Sequence, residues 1–157
     1  MKSMTKPTKA RDIARSWFEV DMAGQTLGRA ATKIALLLMG KSKPYFVRHL
    51  DCGDYVVVTN SRDFKVTGKK MTQKIYTSYS GYPGGLRKEA LRDLLDRKPE
   101  EAVRRAVMGM LPKNKLRDLL MERLYIFPGG DHPYQEKINS QKSPPKADRP
   151  LDEKVKI

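Results

Sequence analysis

The sequence is poor in side chains that bind metals or form disulfides. Its 157 residues include one cysteine, Cys52, and two histidines, His49 and His132, which stand far apart in the chain. A lone cysteine excludes an intrachain disulfide and suits a reducing compartment. His49 and Cys52 have no second pair of ligands to complete a zinc site. We therefore predict that Cys52 is a small packing residue and that the protein holds no metal and no cofactor.

Long apolar runs are also absent. The longest, from Ile34 to Met39, is far shorter than the roughly 20 residues that a membrane-spanning helix needs. The N-terminus has no apolar segment of the kind found in a secretory signal peptide. We expect a soluble, cytoplasmic protein that does not bind membranes.

The motifs of common enzyme classes are incomplete. Gly40-Lys41-Ser42 resembles the end of a phosphate-binding loop, but Ala35 stands where that loop requires glycine. The segment 78–81 lacks the leading glycine of a nucleophile elbow. Asp51 and Asp54 precede an apolar run and are predicted to make turn hydrogen bonds. The sequence thus predicts no enzymatic activity and no small-molecule substrate.

Positive charge is what the sequence has in excess. Lys and Arg number 32 and Asp and Glu number 18, so the formal net charge is +14. Residues 1–15 carry a net +4 and residues 61–90 a net +5 of that excess. An excess of this size attracts phosphate polymers, so a nucleic acid is the first partner to consider.

Composition divides the chain into three segments. Residues 1–15 are polar and basic, and we predict a flexible basic N-terminal arm that either assists binding or is an ordinary solvated tail. Residues 16–136 carry the apolar patterns of one α/β domain, which this length can provide with a sizeable core. Over residues 137–157, prolines and alternating charges predict a disordered polar tail.

The first half of the domain has a strand, helix and strand pattern. Residues 17–20 are typical of a strand, and Asp21 begins a turn. Thr26 can cap a helix whose apolar residues recur at helical spacing until Gly40. Residues 54–60 form a nearly continuous apolar run, which suits a strand buried in a parallel sheet. These elements predict a βαβ unit, followed by further strands at residues 64–67 and 124–127 and helices at 86–96, 99–110 and 113–122.

The stretch from Phe64 to Lys88 is the strongest candidate for a binding surface. It contains six cations and no acid, interleaved with aromatic residues and glycines. Lysines attract phosphates, glycines allow close backbone approach, and tyrosines can stack on bases. These properties predict two RNA-binding loops. The alternative is an ordinary solvated face in which Tyr76 is a core residue of a strand.

The remaining cations differ in whether an acidic residue lies one helical turn away. Arg97, Arg104 and Arg105 each follow an acid by four residues on a predicted helix, so we expect them to be paired with Asp93, Glu100 and Glu101. Cations without such acids remain candidates. The predicted RNA-binding residues are Arg29, Lys33, Lys41, Lys43, Lys65, Lys69, Lys70, Lys74, Tyr82, Gly84, Gly85, Arg87, Lys88, Lys113, Lys115 and Arg117.

Several motifs resemble a known family. They are Gly24-Gln-Thr-Leu-Gly-Arg29, Gly53-Asp-Tyr-Val-Val-Val-Thr-Asn60, Val66-Thr-Gly-Lys-Lys70, Ser80-Gly-Tyr-Pro-Gly-Gly85 and Ala106-Val-Met-Gly-Met-Leu-Pro-Lys-Asn-Lys-Leu116. In this order they resemble the bacterial form of universal large-subunit ribosomal protein thirteen, from about residue 16 to residue 136.

The resemblance implies a three-layer α/β/α domain around a four-stranded, mainly parallel sheet. It also implies binding to large-subunit ribosomal RNA beside neighbouring large-subunit proteins, support of early subunit assembly, and no catalysis. The RNA surface would include the loops at 66–70 and 80–88 and the segment 113–117. Two rivals remain from the residues themselves: an RNA-modifying enzyme on an α/β scaffold, and a DNA-compacting or regulatory protein.

Overall fold

The computed structural model describes residues 8–142. A 3-10 turn at Ala10–Asp12 precedes the main elements. In chain order these are β1 (Trp17–Asp21), α1 (Leu27–Met39), β2 (Tyr55–Thr59), α2 (Lys70–Gln73), β3 (Ile75–Tyr79), β4 (Leu86–Ala90), α3 (Leu91–Arg97), α4 (Pro99–Met110), α5 (Leu116–Glu122), β5 (Leu124–Ile126) and α6 (Gln135–Lys142).

The central sheet is parallel, with strand order β1-β2-β5. Its middle strand contains Val56, Val57 and Val58, which are fully buried. Strands covered on both faces read as continuous apolar runs because neither face needs polar side chains. The buried strand and the βαβ unit formed by β1, α1 and β2 are therefore confirmed.

Helix α1 begins and ends where the sequence predicts. Gly40 has a φ of 73° in the left-handed region, and a Cβ there would lie 2.3 Å from the carbonyl oxygen of Cys52, so both conformation and space require glycine. Thr26 occupies the N-cap position, but its side chain makes no capping bond. Instead the Leu27 N–H donates to the carbonyl of Lys65 at 3.0 Å.

One face of the sheet packs on a core formed mainly by α1 and α4. Ile34 and Leu38 of α1 and Val103 and Val107 of α4 are fully buried in this cluster. Burial of each such side chain stabilises the fold by roughly 1.5–3 kcal/mol. Cys52 is buried without a disulfide, as predicted.

The opposite face of the sheet is covered by aromatic side chains and α6. Trp17 stacks on Tyr55 with 4.4 Å between ring centroids, and on Tyr134 at 5.1 Å. Ile138 in α6 is only 3% exposed, and the Trp17 N–H donates to Gln141 Oε1 at 2.6 Å. Residues 137–142, which the composition assigned to a disordered tail, thus form part of a packed helix. Residues 143–157 lie outside the described part of the chain.

Two predicted elements differ from the structure. Residues 64–67 form no strand; a single parallel bridge joins Lys65 to Thr26. The predicted helix at 86–96 is a strand up to Ala90 and a helix only from Leu91. The reason is that β3 supplies an antiparallel partner for β4, with Ile75 opposite Ala90, which overrides the local preference.

The α/β class with a mainly parallel sheet is confirmed. Within residues 8–142 the parallel sheet has three strands, and β3 and β4 form a separate antiparallel pair.

The described part of the N-terminal arm lies against the domain. Thr8 Oγ1 donates to the carbonyl of Tyr45 at 3.0 Å. Arg15 forms an ion pair of 3.2 Å with Asp51. Residues 1–7 are outside the described part.

Candidate nucleic-acid interface

The acid-free stretch forms one short helix and a hairpin, not a pair of irregular loops. The hairpin consists of β3 and β4, and its turn closes with the Gly85 N–H donating to the Tyr82 carbonyl at 2.9 Å. Gly84 has a φ of 73°, and a Cβ on Gly85 would lie 2.9 Å from the backbone carbonyl oxygen of Tyr82. The turn therefore depends on both glycines, and it presents Tyr82, which is 76% exposed.

Cations surround this hairpin. Lys69 immediately precedes α2, Lys70 begins it, and Lys74 links it to β3; Arg87 and Lys88 lie on β4. All five side chains are exposed. None of them forms an ion pair with a residue in the range 8–142. Unpaired charges this close together repel one another, which favours a polyanionic partner.

The cation–π contacts of Tyr76 anchor one face of the hairpin. Lys74 Nζ lies 5.3 Å from the centre of the Tyr76 ring, and the Arg105 guanidinium lies 5.0 Å from the same ring. Burial raises the pKa of the Tyr76 hydroxyl, and the positive charge of Arg105 partly offsets that rise. Tyr76 packs against the core, as the alternative interpretation held, while the lysines around it stay exposed.

A polar cleft of about 410 Å³ brings together cations from three elements. Arg87 and Lys88 come from β4, Arg97 from α3 and Arg105 from α4. The sequence set Arg97 and Arg105 aside because each has an acid four residues earlier. Only the fold shows that they line the same cleft as Arg87 and Lys88.

The predicted helical ion pairs have mixed outcomes. Glu101 and Arg105 pair at 2.9 Å, as predicted. Arg97 binds Glu89 of β4 at 2.6 Å instead of Asp93, because the antiparallel hairpin brings that strand beside α3. Glu100 and Arg104, both within the described residues, form no ion pair.

The candidates on α1 and its flanks remain accessible. Arg29 and Lys33 are exposed and have no ion-pair partner within residues 8–142. Lys65 is exposed, and its backbone pairs with that of Gln25 and Leu27 at the start of α1. Lys41, just after α1, is exposed as well.

Lys43 has a different role from the one predicted. Its ammonium lies 2.5 Å from Asp54 Oδ1 and its side chain is 13% exposed. It also donates to the carbonyls of Ala14 and Cys52 at 2.7 and 2.9 Å. The geometry therefore assigns Lys43 to the interior of the fold, and its charge is not free for RNA. Asp54 is the partner of this lysine, and only Asp51 makes the predicted turn bond, accepting from the Gly53 N–H at 3.3 Å.

The 113–117 segment comprises the turn before α5 and the first two residues of that helix. Lys113 and Lys115 are exposed there. Arg117 is more covered, with 30% side-chain exposure, and its Nε lies 4.0 Å from Asp118 Oδ1. Asp118 is the next residue along the chain and not an acid one helical turn away, so Arg117 stays a predicted RNA-binding residue.

The described residues offer neither a metal site nor a membrane-spanning helix. Residues 8–142 contain no group of three or more His, Cys, Asp or Glu side chains arranged to hold a metal ion. In the same range, no helix has the length and hydrophobicity to cross a bilayer.

Comparison with known proteins identifies the family. The family model described as ribosomal protein L13 matches residues 15–133. The chain belongs to the ribosomal protein L13 family. The large ribosomal subunit protein uL13 of Clostridioides difficile is 52% identical over 124 residues, which cover 79% of this chain and 87% of that protein. The uL13 protein of Aquifex aeolicus is 47% identical over 127 residues, covering 81% and 88% of the two chains.

The L13 match extends over nearly all of the folded domain. It includes α1, the hairpin and the turn before α5, and ends between β5 and α6. The uL13 protein of Geobacillus kaustophilus gives a similar result, with 44% identity over 131 residues, or 83% of this chain and 90% of that protein. The family resemblance stated from the sequence motifs is confirmed.

Proposed function

We propose that this chain is a structural constituent of the large ribosomal subunit, where it binds ribosomal RNA and supports early subunit assembly. Its membership of the L13 family supports this role. The family consists of structural proteins, so the chain is not an enzyme, and its place is the cytoplasmic ribosome beside other large-subunit proteins. Membership of this family of structural proteins also argues against an RNA-modifying enzyme.

The unpaired cations on and beside α2 and the hairpin are the observation that supports the proposed RNA-binding surface. Lys69, Lys70, Arg87 and Lys88 are exposed without an acid partner in the described residues. We infer that they bind phosphates while the backbone of the glycine turn fits the RNA surface, which gives recognition of shape more than of base sequence. The other members of the surface are Arg29, Lys33, Lys41, Lys65, Lys74, Tyr82, Gly84, Gly85, Lys113, Lys115 and Arg117.

We also propose the finer architecture that the resemblance implies, three layers around a sheet with a fourth strand. Helices α1 and α4 on one face and α6 on the other support the layering. Residues 64–67 form no strand in the structure, but the single parallel bridge between Thr26 and Lys65 supports this edge as the position of a fourth strand. Hydrogen-exchange protection of the Lys65 N–H, which donates to the Gln25 carbonyl at 2.8 Å, tests this pairing; exchange as fast as in an exposed loop would contradict it.

Salt-dependent binding to large-subunit ribosomal RNA tests the proposal. If roughly 6–10 phosphates are contacted, affinity falls by about 10³–10⁵ between 50 and 200 mM salt, by analogy with duplex DNA. A variant with Lys69, Lys70 and Lys88 changed to Gln should lower the slope of log affinity against log salt by about one for each lost phosphate contact.

A control variant that loses the same number of positive charges elsewhere makes the test specific for the hairpin surface. Arg62, Lys98 and Arg104 are exposed cations that line a separate polar pocket, and changing all three to Gln should leave the slope nearly unchanged. Equal losses in both triple variants would show that only net charge matters, and a flat salt response would refute phosphate binding. Comparable affinity for duplex DNA, or failure to sediment with the large subunit, would favour the DNA-binding rival.

A further inference from the structure

A second concave surface lies where residues 41–50, the connector after α1, meet the turn before α5. It is an open groove of about 490 Å³. Phe46 and Arg48 line it from the connector, while Met39 comes from the end of α1 and Met110 from the end of α4. Asn114 adds a side-chain amide from the turn. The groove has the size and the mainly apolar lining with few polar groups that is typical of small-ligand sites.

The apolar lining is not closed by the described part of the chain. Met110 is 40% exposed, and Met39 and Phe46 are partly exposed. Met110 has the helical spacing of the apolar stripe of α4 that includes Val103 and Val107. In the structure, the stripe ends at Val107, which leaves Met110 at the groove.

The charge around the groove is positive. Lys41 and Arg48 are exposed lining residues without an ion-pair partner in residues 8–142. The one acid in the lining, Asp51, is already bound by Arg123 and Arg15. A basic protein would be repelled from this rim, whereas a ligand that combines an aromatic ring with a phosphate is attracted to it.

We propose that this groove binds an unstacked nucleobase of single-stranded RNA, with the Phe46 ring and the Arg48 guanidinium as stacking surfaces, Asn114 at the edge of the base and Lys41 at a flanking phosphate. Proteins recognise splayed-out bases with this combination of aromatic, guanidinium and amide groups. The inference rests on the proposed RNA-binding function. This site would recognise a base, whereas the rest of the proposed RNA-binding surface contacts phosphates.

Methyl resonances of methionine provide a direct readout, because Met39 and Met110 both line the groove. The full chain is labelled with 13C-methyl methionine and titrated with a short single-stranded oligoadenylate. We expect ring-current shifts at Met39 and Met110 and none at Met22, which is fully buried elsewhere in the core. An oligonucleotide of the same length with abasic sites should leave the groove resonances unchanged.

Two substitutions test the stacking surfaces. Phe46→Leu keeps the apolar packing but removes the ring, and it should weaken the oligoadenylate binding measured at Met39 and Met110 by at least about fivefold. Arg48→Gln should weaken it as well. Arg92→Gln removes an exposed cation from α3 and serves as the matched control. An unchanged Met22 resonance shows that each variant is folded.

The outcomes separate this inference from the RNA-binding proposal. Equal shifts with the abasic oligonucleotide would overturn it in favour of a phosphate site. Shifts produced only by a peptide of leucine and glutamate would overturn it in favour of a protein-docking groove. If the chain binds ribosomal RNA with the expected salt slope and Met39 and Met110 do not respond to the oligoadenylate, the base site is refuted and the proposed function stands. A flat salt response of ribosomal RNA binding would instead refute the proposed function.

Discussion

Lys43 and Asp54 form an ion pair that is nearly closed to solvent. The ammonium lies 2.5 Å from Asp54 Oδ1, and the two side chains are 13% and 1% exposed. The same carboxylate oxygen accepts the Ser16 N–H at 2.8 Å. Because Lys43 also donates to the Ala14 carbonyl, one side chain joins the connector after α1 to the residues before β1 and to the start of β2.

We predict that Lys43→Ala destabilises the fold by about 3–5 kcal/mol, because removing one partner leaves the other buried charge uncompensated. Urea unfolding followed by circular dichroism measures the change. Lys41→Ala is the control, since Lys41 is exposed and unpaired in the described residues, and its effect should stay within about 0.5 kcal/mol. If Lys43→Ala left stability unchanged and weakened RNA binding, the role predicted from the sequence would be right after all.

We predict that any substitution that adds a side chain at Gly53 destabilises the fold. A Cβ there would lie 1.8 Å from the Leu38 carbonyl oxygen and 2.8 Å from its carbon, so Gly53→Ala must displace backbone and should cost at least about 1–3 kcal/mol. Gly109 in α4 is the matched control, because a Cβ there meets nothing within 4 Å. Gly109→Ala should stabilise the protein by about 0.5–1 kcal/mol. Thermal unfolding compares the two, and equal effects would contradict the close approach of Gly53 to α1.

The stability contribution of Asp21 is predicted to depend on pH. Hydrogen bonds from the Ala23 N–H and then the Asn60 side-chain amide lower the pKa of the Asp21 carboxyl. A lowered folded pKa means that the contribution is complete above the ordinary aspartate pKa of about 3.9 and is lost as pH falls through the folded value.

Asp21→Asn should therefore lower Tm at pH 6 and have little effect near pH 2. Asp96→Asn removes an exposed carboxylate that has no ion pair or hydrogen bond to the described residues, and should show no such pH-dependent difference. A Tm difference for Asp21→Asn that stays constant from pH 6 to pH 2 would argue against the hydrogen-bonded carboxylate.

Elements whose signals lie close together in the sequence agree with the predictions, and elements that depend on distant partners do not. Helix α1 has its bounds marked by Thr26 and Gly40, and α4 begins at Pro99; these signals lie within one turn of the helix end they mark. The hairpin was not predicted because its pairing joins residues up to 15 apart, such as Ile75 and Ala90 of its outermost pair, and the leucines that follow it have the spacing of a helix.

The predictions about charge also held where they rest on local sequence and failed where they depend on distant contacts. The sequence correctly located an acid-free, exposed set of cations, since the absence of Asp and Glu over residues 64–88 is a local property. The prediction for Lys43 is wrong, because the carboxylate that binds it lies eleven residues further along the chain, just before β2, beyond the reach of a helical-spacing argument. The sequence also set aside Arg97, whose partner Glu89 stands on a strand that the local pattern did not predict.

The packing of α6 likewise could not be predicted from the local sequence. Composition alone favours disorder from Lys137, and only one large apolar side chain, Ile138, lies in α6. That side chain is buried, and Lys137 Nζ lies 5.0 Å from the centre of the Trp17 ring. A helix this polar is stabilised by contacts with a strand more than a hundred residues earlier in the chain, which no local window contains.

The sequence by itself determined the α/β class, the bounds of α1, the buried central strand, the family and the sign and location of the excess charge. These depend on neighbours within a few residues and on composition. Only the tertiary structure decided which cations are already neutralised, that β3 and β4 form a hairpin, and that the connector after α1 and the turn before α5 enclose a groove. The physical reason is that ion pairs, strand partners and groove walls form between segments that meet only after the chain has folded.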